Sequence, residues 1–192
     1  ENDELCGVRL TTGQNELIVA TRNGMAIRFK ETDARELGRT ARGVKAITLA
    51  NEDFVVGFAR VREGANLLTV SERGRGRRTE LSQYRLQSRG GKGVLNYRTK
   101  DHGPVAGIKV VDEDDDVILI SDNGVIIRMP VEQITTQSRY GGGVRVMRLE
   151  EDHRVVTLAR SQKEEEDGID EDAAPDVTDT AQVDDAAPES EE

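Results

Sequence analysis

The stretch of this chain best suited to hold a ligand is Gln87-Ser88-Arg89-Gly90-Gly91-Lys92-Gly93. Its glycines at 90, 91 and 93 let a backbone turn tightly and come close to a phosphate, while Arg89 and Lys92 bring positive charge. Backbone N–H groups in such a loop donate to phosphate oxygens, and nothing in the run is placed to read a base edge. The implied chemistry is sequence-independent contact with a phosphate backbone. Taken alone, a flexible basic loop between strands is the commoner meaning of such a run. A second basic cluster, Arg73-Gly74-Arg75-Gly76-Arg77-Arg78, precedes it. Alternate residues of a strand share a face, so Arg73, Arg75 and Arg77 are expected to project together. Charge in that arrangement also guards a solvated sheet edge.

The rest of the chain repeats what surrounds these clusters. Gly24, Gly74 and Gly124 are 50 residues apart, and so are Arg28, Arg78 and Arg128. Gly7, Gly57 and Gly107 keep the same step, as do Gly43-Val44, Gly93-Val94 and Gly143-Val144. Three gap-free repeats are written into residues 1–160, approximately 5–54, 55–104 and 105–160. The places matching Gln87–Gly93 are Leu37-Gly38-Arg39-Thr40-Ala41-Arg42-Gly43 and Gln137-Ser138-Arg139-Tyr140-Gly141-Gly142-Gly143. Arg39, Arg89 and Arg139 therefore recur at one edge of successive units, with Arg42 beside the first. A row of charges at unit spacing suits a long polyanion better than a small ligand.

Each unit reads as strands. The first is Leu5–Leu10, recurring at 55–60, 105–110 and 155–160; the second is Leu17–Thr21, recurring at 67–71 and 117–121. Asn23-Gly24 and Asn123-Gly124 predict two-residue turns with φ > 0, and Arg73-Gly74 replaces them in the middle unit. A third strand follows at Met25–Phe29 and Val125–Met129, and a fourth begins at Val44, Val94 and Val144. Between the last two lies a polar, Gly-rich connection whose start, such as Glu31–Leu37, fits a short helical turn. Four short strands in such a repeat is the size of a propeller blade; a solenoid of stacked repeats is the alternative.

Charge divides the chain differently. The whole carries 27 Lys+Arg against 37 Asp+Glu, a formal charge of −10. Residues 161–192 hold 14 acids and one base, leaving +3 on residues 1–160 and +7 on Ser71–Lys100 alone. Few large apolar residues remain after residue 160, so 161–192 is expected to be a disordered acidic tail. No run of 18 apolar residues and no basic-then-apolar start occurs, so no membrane span or signal peptide is expected, and the single cysteine, Cys6, favours a reducing compartment. Aromatics are 3% and Trp is absent, which excludes base stacking as the main binding mode.

The run Gln87–Gly93, the element Gly38-Arg39-Thr40-Ala41-Arg42-Gly43-Val44-Lys45 and the hairpin Asn23-Gly24-Met25-Ala26-Ile27-Arg28-Phe29 closely resemble the C-terminal domain of the DNA gyrase A subunit. The family's signature box is Gln, a basic residue, Arg, Gly, Gly, Lys or Arg, Gly. This chain matches at Gln87, Arg89, Gly90, Gly91, Lys92 and Gly93 and departs at Ser88. The resemblance implies an all-β fold, three four-stranded blades of a six-bladed β-pinwheel, with Gln87–Gly93 a secondary box in the fifth blade. It also implies sequence-independent binding and wrapping of double-stranded DNA in the cytoplasm. That wrapping would support ATP-dependent negative supercoiling in company with the gyrase B subunit, the rest of the A subunit included. No cofactor is expected in this chain, because ATP and Mg²⁺ act elsewhere in such a holoenzyme. The A subunit of topoisomerase IV is the near alternative, and a propeller-like protein-interaction scaffold the alternative of another class.

The remaining candidates carry no catalysis. Tyr84, Tyr97 and Tyr140 match no catalytic motif, and His102 and His153 lack partners at ligand spacing. Asp112–Asp116 lacks the Gly and Glu of a calcium loop and reads as a solvated hairpin turn. Cys6 is expected to be a small core residue of the first strand.

Overall fold

The computed structural model describes residues 4–162. Three hairpins form: Glu16–Thr21 (β1) with Met25–Lys30 (β2), Asn66–Ser71 (β4) with Arg75–Glu80 (β5), and Asp115–Ser121 (β8) with Ile126–Pro130 (β9), and apolar, β-branched runs mark every one of these strands except the arginine-rich β5. The turns are longer than the two residues expected, at three in the first two hairpins and four in the last. In the first, the Gly24 N–H donates to Thr21 O at 3.0 Å and only Gly24 has positive φ, at 87°. Because Asn23 keeps negative φ, the turn needs glycine in the third place and tolerates Arg73 where Asn stands in the other units.

The sheets do not follow the unit boundaries. Val55–Arg60 (β3) and Val105–Val111 (β7) pair with β1 and β4 of the unit before them, and Val155–Gln162 (β11), their equivalent at the end of the third unit, pairs with β8. Val94–Leu95 (β6) pairs with β2, and Val144–Arg145 (β10) with β5, again one unit back. The orders are β3-β1-β2-β6, β10-β5-β4-β7 and β11-β8-β9, so the third sheet has three strands among the described residues where four were expected. β3 packs beside β7 and β7 beside β11, which makes them the inner edge of the blades; β6 and β10 lie on the outer edge. Three-residue 3₁₀ turns at Glu31–Asp33, Leu81–Gln83 and Val131–Gln133 follow the hairpins, with one short helix, Thr99–His102 (α1).

This exchange accounts for two strands that do not form. Leu5–Leu10 and Val44 match strands that pair one unit back, and no such unit precedes them among the described residues. Leu5, Val8 and Leu10 are accordingly exposed, and Cys6 is exposed rather than in the core. At its other end β11 runs to Gln162, two residues past the last strand position expected, pairing Ser161 with Asp116 and Gln162 with Asp115. The tail from residue 163 onward lies outside the described residues.

Two apolar cores lie between blades. Ile18, Ala26, Leu67, Tyr84, Tyr97 and Ile108 fill the first, and Leu68, Val117, Leu119, Ile134 and Leu158 the second. Fully burying one such aliphatic side chain contributes about 1.5–3 kcal/mol, so the blades are held mainly by these interfaces. Ion pairs repeat across them. Arg22 Nε and Nη2 meet the Glu72 carboxylate at 2.7 and 3.1 Å, and Arg62 pairs with Asp112, in both cases one repeat length on in the chain. The Asp112–Asp116 run is a solvated turn only in its first part, where Glu113 and Asp114 turn in solvent between β7 and β8. Asp115 is buried against Arg160 at 2.9 Å, and Asp116 against Arg128 at 2.7 Å.

Candidate nucleic-acid interface

The loop Gln87–Gly93 is built on the blade before it. After the Leu81–Gln83 turn the chain bridges β2 at Leu86, and the Gln87 N–H donates to Arg28 O at 2.9 Å. The Gly90 N–H donates to Ala46 O at 2.6 Å, while Thr48 gives its N–H to Gly91 O and its hydroxyl to Gly90 O at 2.8 and 2.6 Å. Gly93 has φ 77°, and a Cβ there would collide with the Ala26 carbonyl of β2. Its close backbone approach is thus to a neighbouring strand. Gly91 and Lys92 face solvent, and Gln87 and Gly90 are half-buried.

Arg89 is partly committed. Its Nε donates to Asp33 O at 2.7 Å and its Nη1 to Lys45 O at 3.0 Å, tying the second outer loop to the first. One repeat on, Arg139 Nη1 donates to Leu95 O at 2.6 Å and ties the third loop to the second. The recurring arginine is therefore a clasp between consecutive loops. Arg28 and Arg78 clasp deeper levels of the same junctions: Arg28 Nη1 meets Leu81 O at 2.8 Å, and Arg78 Nε meets Ile134 O at 2.5 Å.

The cluster Arg73–Arg78 behaves unlike the expectation that three arginines project together. Arg73 is exposed at the hairpin tip, Arg75 is half-buried, and Arg77 is fully buried. β5 is an interior strand, and the third outer loop lies on it, so arginines facing that way serve the loop. Arg75 donates to Gly142 O and Gly143 O at 3.1 and 2.7 Å. Arg77 donates to Gly141 O and Arg139 O at 3.1 and 2.7 Å, and to Asn96 O. Its guanidinium lies 5.1 Å from the Tyr97 ring centre, and burial pushes its pKa down. Arg77 is removed from the set of candidate contacts. Beside it Tyr84 donates to Asn96 Oδ1 at 2.6 Å, and burial pushes the Tyr84 hydroxyl up to about 12.

The cations left over define the surface. Arg39, Arg42, Arg73 and Lys92 are exposed, and none joins an ion pair among the described residues. Arg139 is half-buried. Sequence reasoning passed over Lys45 and Arg145, two repeats apart, and Arg98 and Arg148, one repeat apart, all of them exposed. Their spacing was the signal that marked them. In a cleft of about 920 Å³ between the first two blades, by contrast, Arg28 is set against Glu16 and Arg78 against Glu113. No helix among the described residues is long and apolar enough to cross a membrane.

Strand-exchanged blades stacked by repeat, with Gly-rich loops carried on the outer edge, are a defined class of protein. The chain belongs to the family described as DNA gyrase C-terminal domain, beta-propeller, whose pattern matches residues 15–62, 65–112 and 115–162. Those limits each enclose a hairpin and its inner strand, as the sheets do. The DNA gyrase A subunit of Staphylococcus aureus (strain MRSA252) is 48% identical over 93 residues, covering 47% of this chain and 10% of that protein; the sequence from strain N315 gives the same values. The chain thus spans about a tenth of the length of the curated relatives it matches. Among solved structures, the C-terminal domain of DNA topoisomerase IV superposes with TM-score 0.76 at 26% identity, covering 81% of this chain and 49% of that one. A DNA gyrase A C-terminal domain gives 0.73 at 27%, covering 79% and 52%.

Proposed function

We propose that this chain binds double-stranded DNA along the outer edge of its blades without regard to sequence. The observation that carries this reading is the set of exposed cations on successive outer loops, Arg39 and Arg42 on the first and Lys92 on the second, which join no ion pair among the described residues and take no part in the ties that hold those loops. Clasped loops present charge at a fixed spacing, and a rigid row of cations displaces counterions from a duplex at little ordering cost. Gln87, Arg89, Gly90, Gly91 and Gly93 shape the second loop, and Arg139 and Arg75 the third; Arg73 adds charge at the hairpin tip.

By its family the chain acts in the cytoplasm as the C-terminal part of the gyrase A subunit. It wraps DNA so that the complete enzyme, in which the B subunit joins the remainder of the A subunit, introduces negative supercoils. ATP and Mg²⁺ act elsewhere in that assembly, and no residue here is assigned catalysis or a cofactor. The topoisomerase IV likeness supports a second reading, the equivalent domain of that enzyme's A subunit. The near-complete run Gln87–Gly93 and the 48% identity to the gyrase A subunit favour the first.

Titration of the chain with duplexes of unrelated sequence over a range of salt tests the proposal. Equal affinities are expected, with log K falling linearly in log salt. Absence of binding at low salt would leave a protein-interaction scaffold as the reading, and strong preference for one duplex would point to base readout.

A further inference from the structure

We propose that Tyr140 on the third outer loop, with Arg98 and Arg139 set close to its ring, is a contact residue for the sugar–phosphate backbone of duplex DNA. The inference rests on the DNA-binding reading and adds a contact which that reading does not contain.

Tyr140 is 53% exposed, whereas Tyr84 and Tyr97 are 1% and 0% exposed. Its ring serves no core, and the matching positions hold Thr40 and Gly90, so the fold does not require an aromatic there. The ring nonetheless has two cations set on it. Arg139 Cζ lies 5.2 Å from its centre and Arg98 Cζ 5.7 Å. The support beneath is rigid, because Arg77 and Arg75 take the carbonyls of Gly141, Gly142 and Gly143, and the Gly143 N–H donates to Gln137 Oε1 at 3.0 Å.

Arg98 follows β6 of the second outer loop and Tyr140 belongs to the third, so the strip crosses a junction between loops. Guanidiniums stacked against a ring keep N–H groups at their edges to donate to phosphate. The exposed part of the ring is apolar and matches deoxyribose. A duplex lying along the outer edge therefore meets phosphate donors and a sugar platform in one place. Arg98 supplies the charge most readily, since Arg139 already donates to Leu95 O.

The chain has three tyrosines and no tryptophan, so its near-ultraviolet emission reports on them alone. Acrylamide, a neutral quencher, reaches exposed Tyr140 in preference to buried Tyr84 and Tyr97. Saturating duplex DNA is expected to protect the quenchable emission, and Tyr140→Phe to abolish that emission with or without DNA. Aromatic contact predicts that Tyr140→Ala weakens duplex binding about fivefold while Tyr140→Phe changes it less than about twofold. Arg98→Ala is expected to lower the salt slope by about 1. A thermal melt confirms that each variant folds as the parent does. Tight duplex binding with Tyr140 still fully open to acrylamide, or with Tyr140→Ala binding as the parent, would overturn the contact and leave the DNA-binding reading standing. Failure of the parent to bind any duplex would overturn that reading and the contact with it.

Discussion

Strand β5 and the second outer loop are both rich in arginine and glycine, and they use these residues in opposite ways. On β5, Arg75 and Arg77 turn toward the third outer loop and satisfy five of the hydrogen-bond acceptors it and its neighbours leave open, among them Gly141 O, Gly142 O and Gly143 O. On the second loop the glycines bring the backbone against β2, and Lys92 is left in solvent. Between these extremes stands Arg89, a solvent-edge residue with two carbonyl partners. Positive charge in the sequence thus divides into charge consumed by the fold and charge available to a polyanion. Neighbouring arginines fall on different sides of that division.

The largest effect is expected from Arg77→Ala. It deletes a buried guanidinium and leaves the buried Asn96 O and the half-buried Arg139 O and Gly141 O without this donor, so a loss of about 3–5 kcal/mol in unfolding free energy is expected. Denaturant melts measure it, and an unchanged midpoint would return Arg77 to the surface set.

The second test concerns the same buried region through pH. Burial raises the Tyr84 pKa from its ordinary 10.0 to about 12, so the folded state holds the proton more tightly than the unfolded state. This contribution is fully present below pH 10.0. Above it stability falls by about 1.4 kcal/mol per pH unit until the folded hydroxyl ionises near 12. Tyr84→Phe is expected to remove that share of the alkaline loss, visible as a shallower fall in melting temperature between pH 10 and pH 12 than the parent shows.

Arg89→Ala and Lys92→Ala separate the intermediate case from the pure surface case. Arg89→Ala gives up two hydrogen bonds to carbonyls and is expected to cost about 1–2 kcal/mol of stability along with DNA affinity. Lys92→Ala should leave stability within about 0.5 kcal/mol. It should weaken binding to all duplexes alike and lower the salt slope by about 1. If both variants moved only affinity, the clasp role of Arg89 would fail; if both moved only stability, the outer loop would not be a DNA surface.

Much of this molecule is determined by its sequence alone. The 50-residue step is a property of the letters, and an apolar run followed by a turn glycine dictates a hairpin with little help from elsewhere, as at Leu17–Phe29. The recurrence of Arg28 with Arg78, and of Arg89 with Arg139, likewise marked positions that repeat their contacts from blade to blade. What tertiary structure decided is the partner of each strand and each charge. Strand pairing between β2 and β6 spans residues far apart in the chain, and no local pattern says that Val94 closes the preceding blade rather than its own. The same exchange decides that Leu5–Leu10 stays unpaired, that Asp115 is buried beneath Arg160, and that Arg77 is interior while Lys92 is not. Local sequence sets which way a backbone bends; burial and charge pairing depend on which distant surface arrives to cover it.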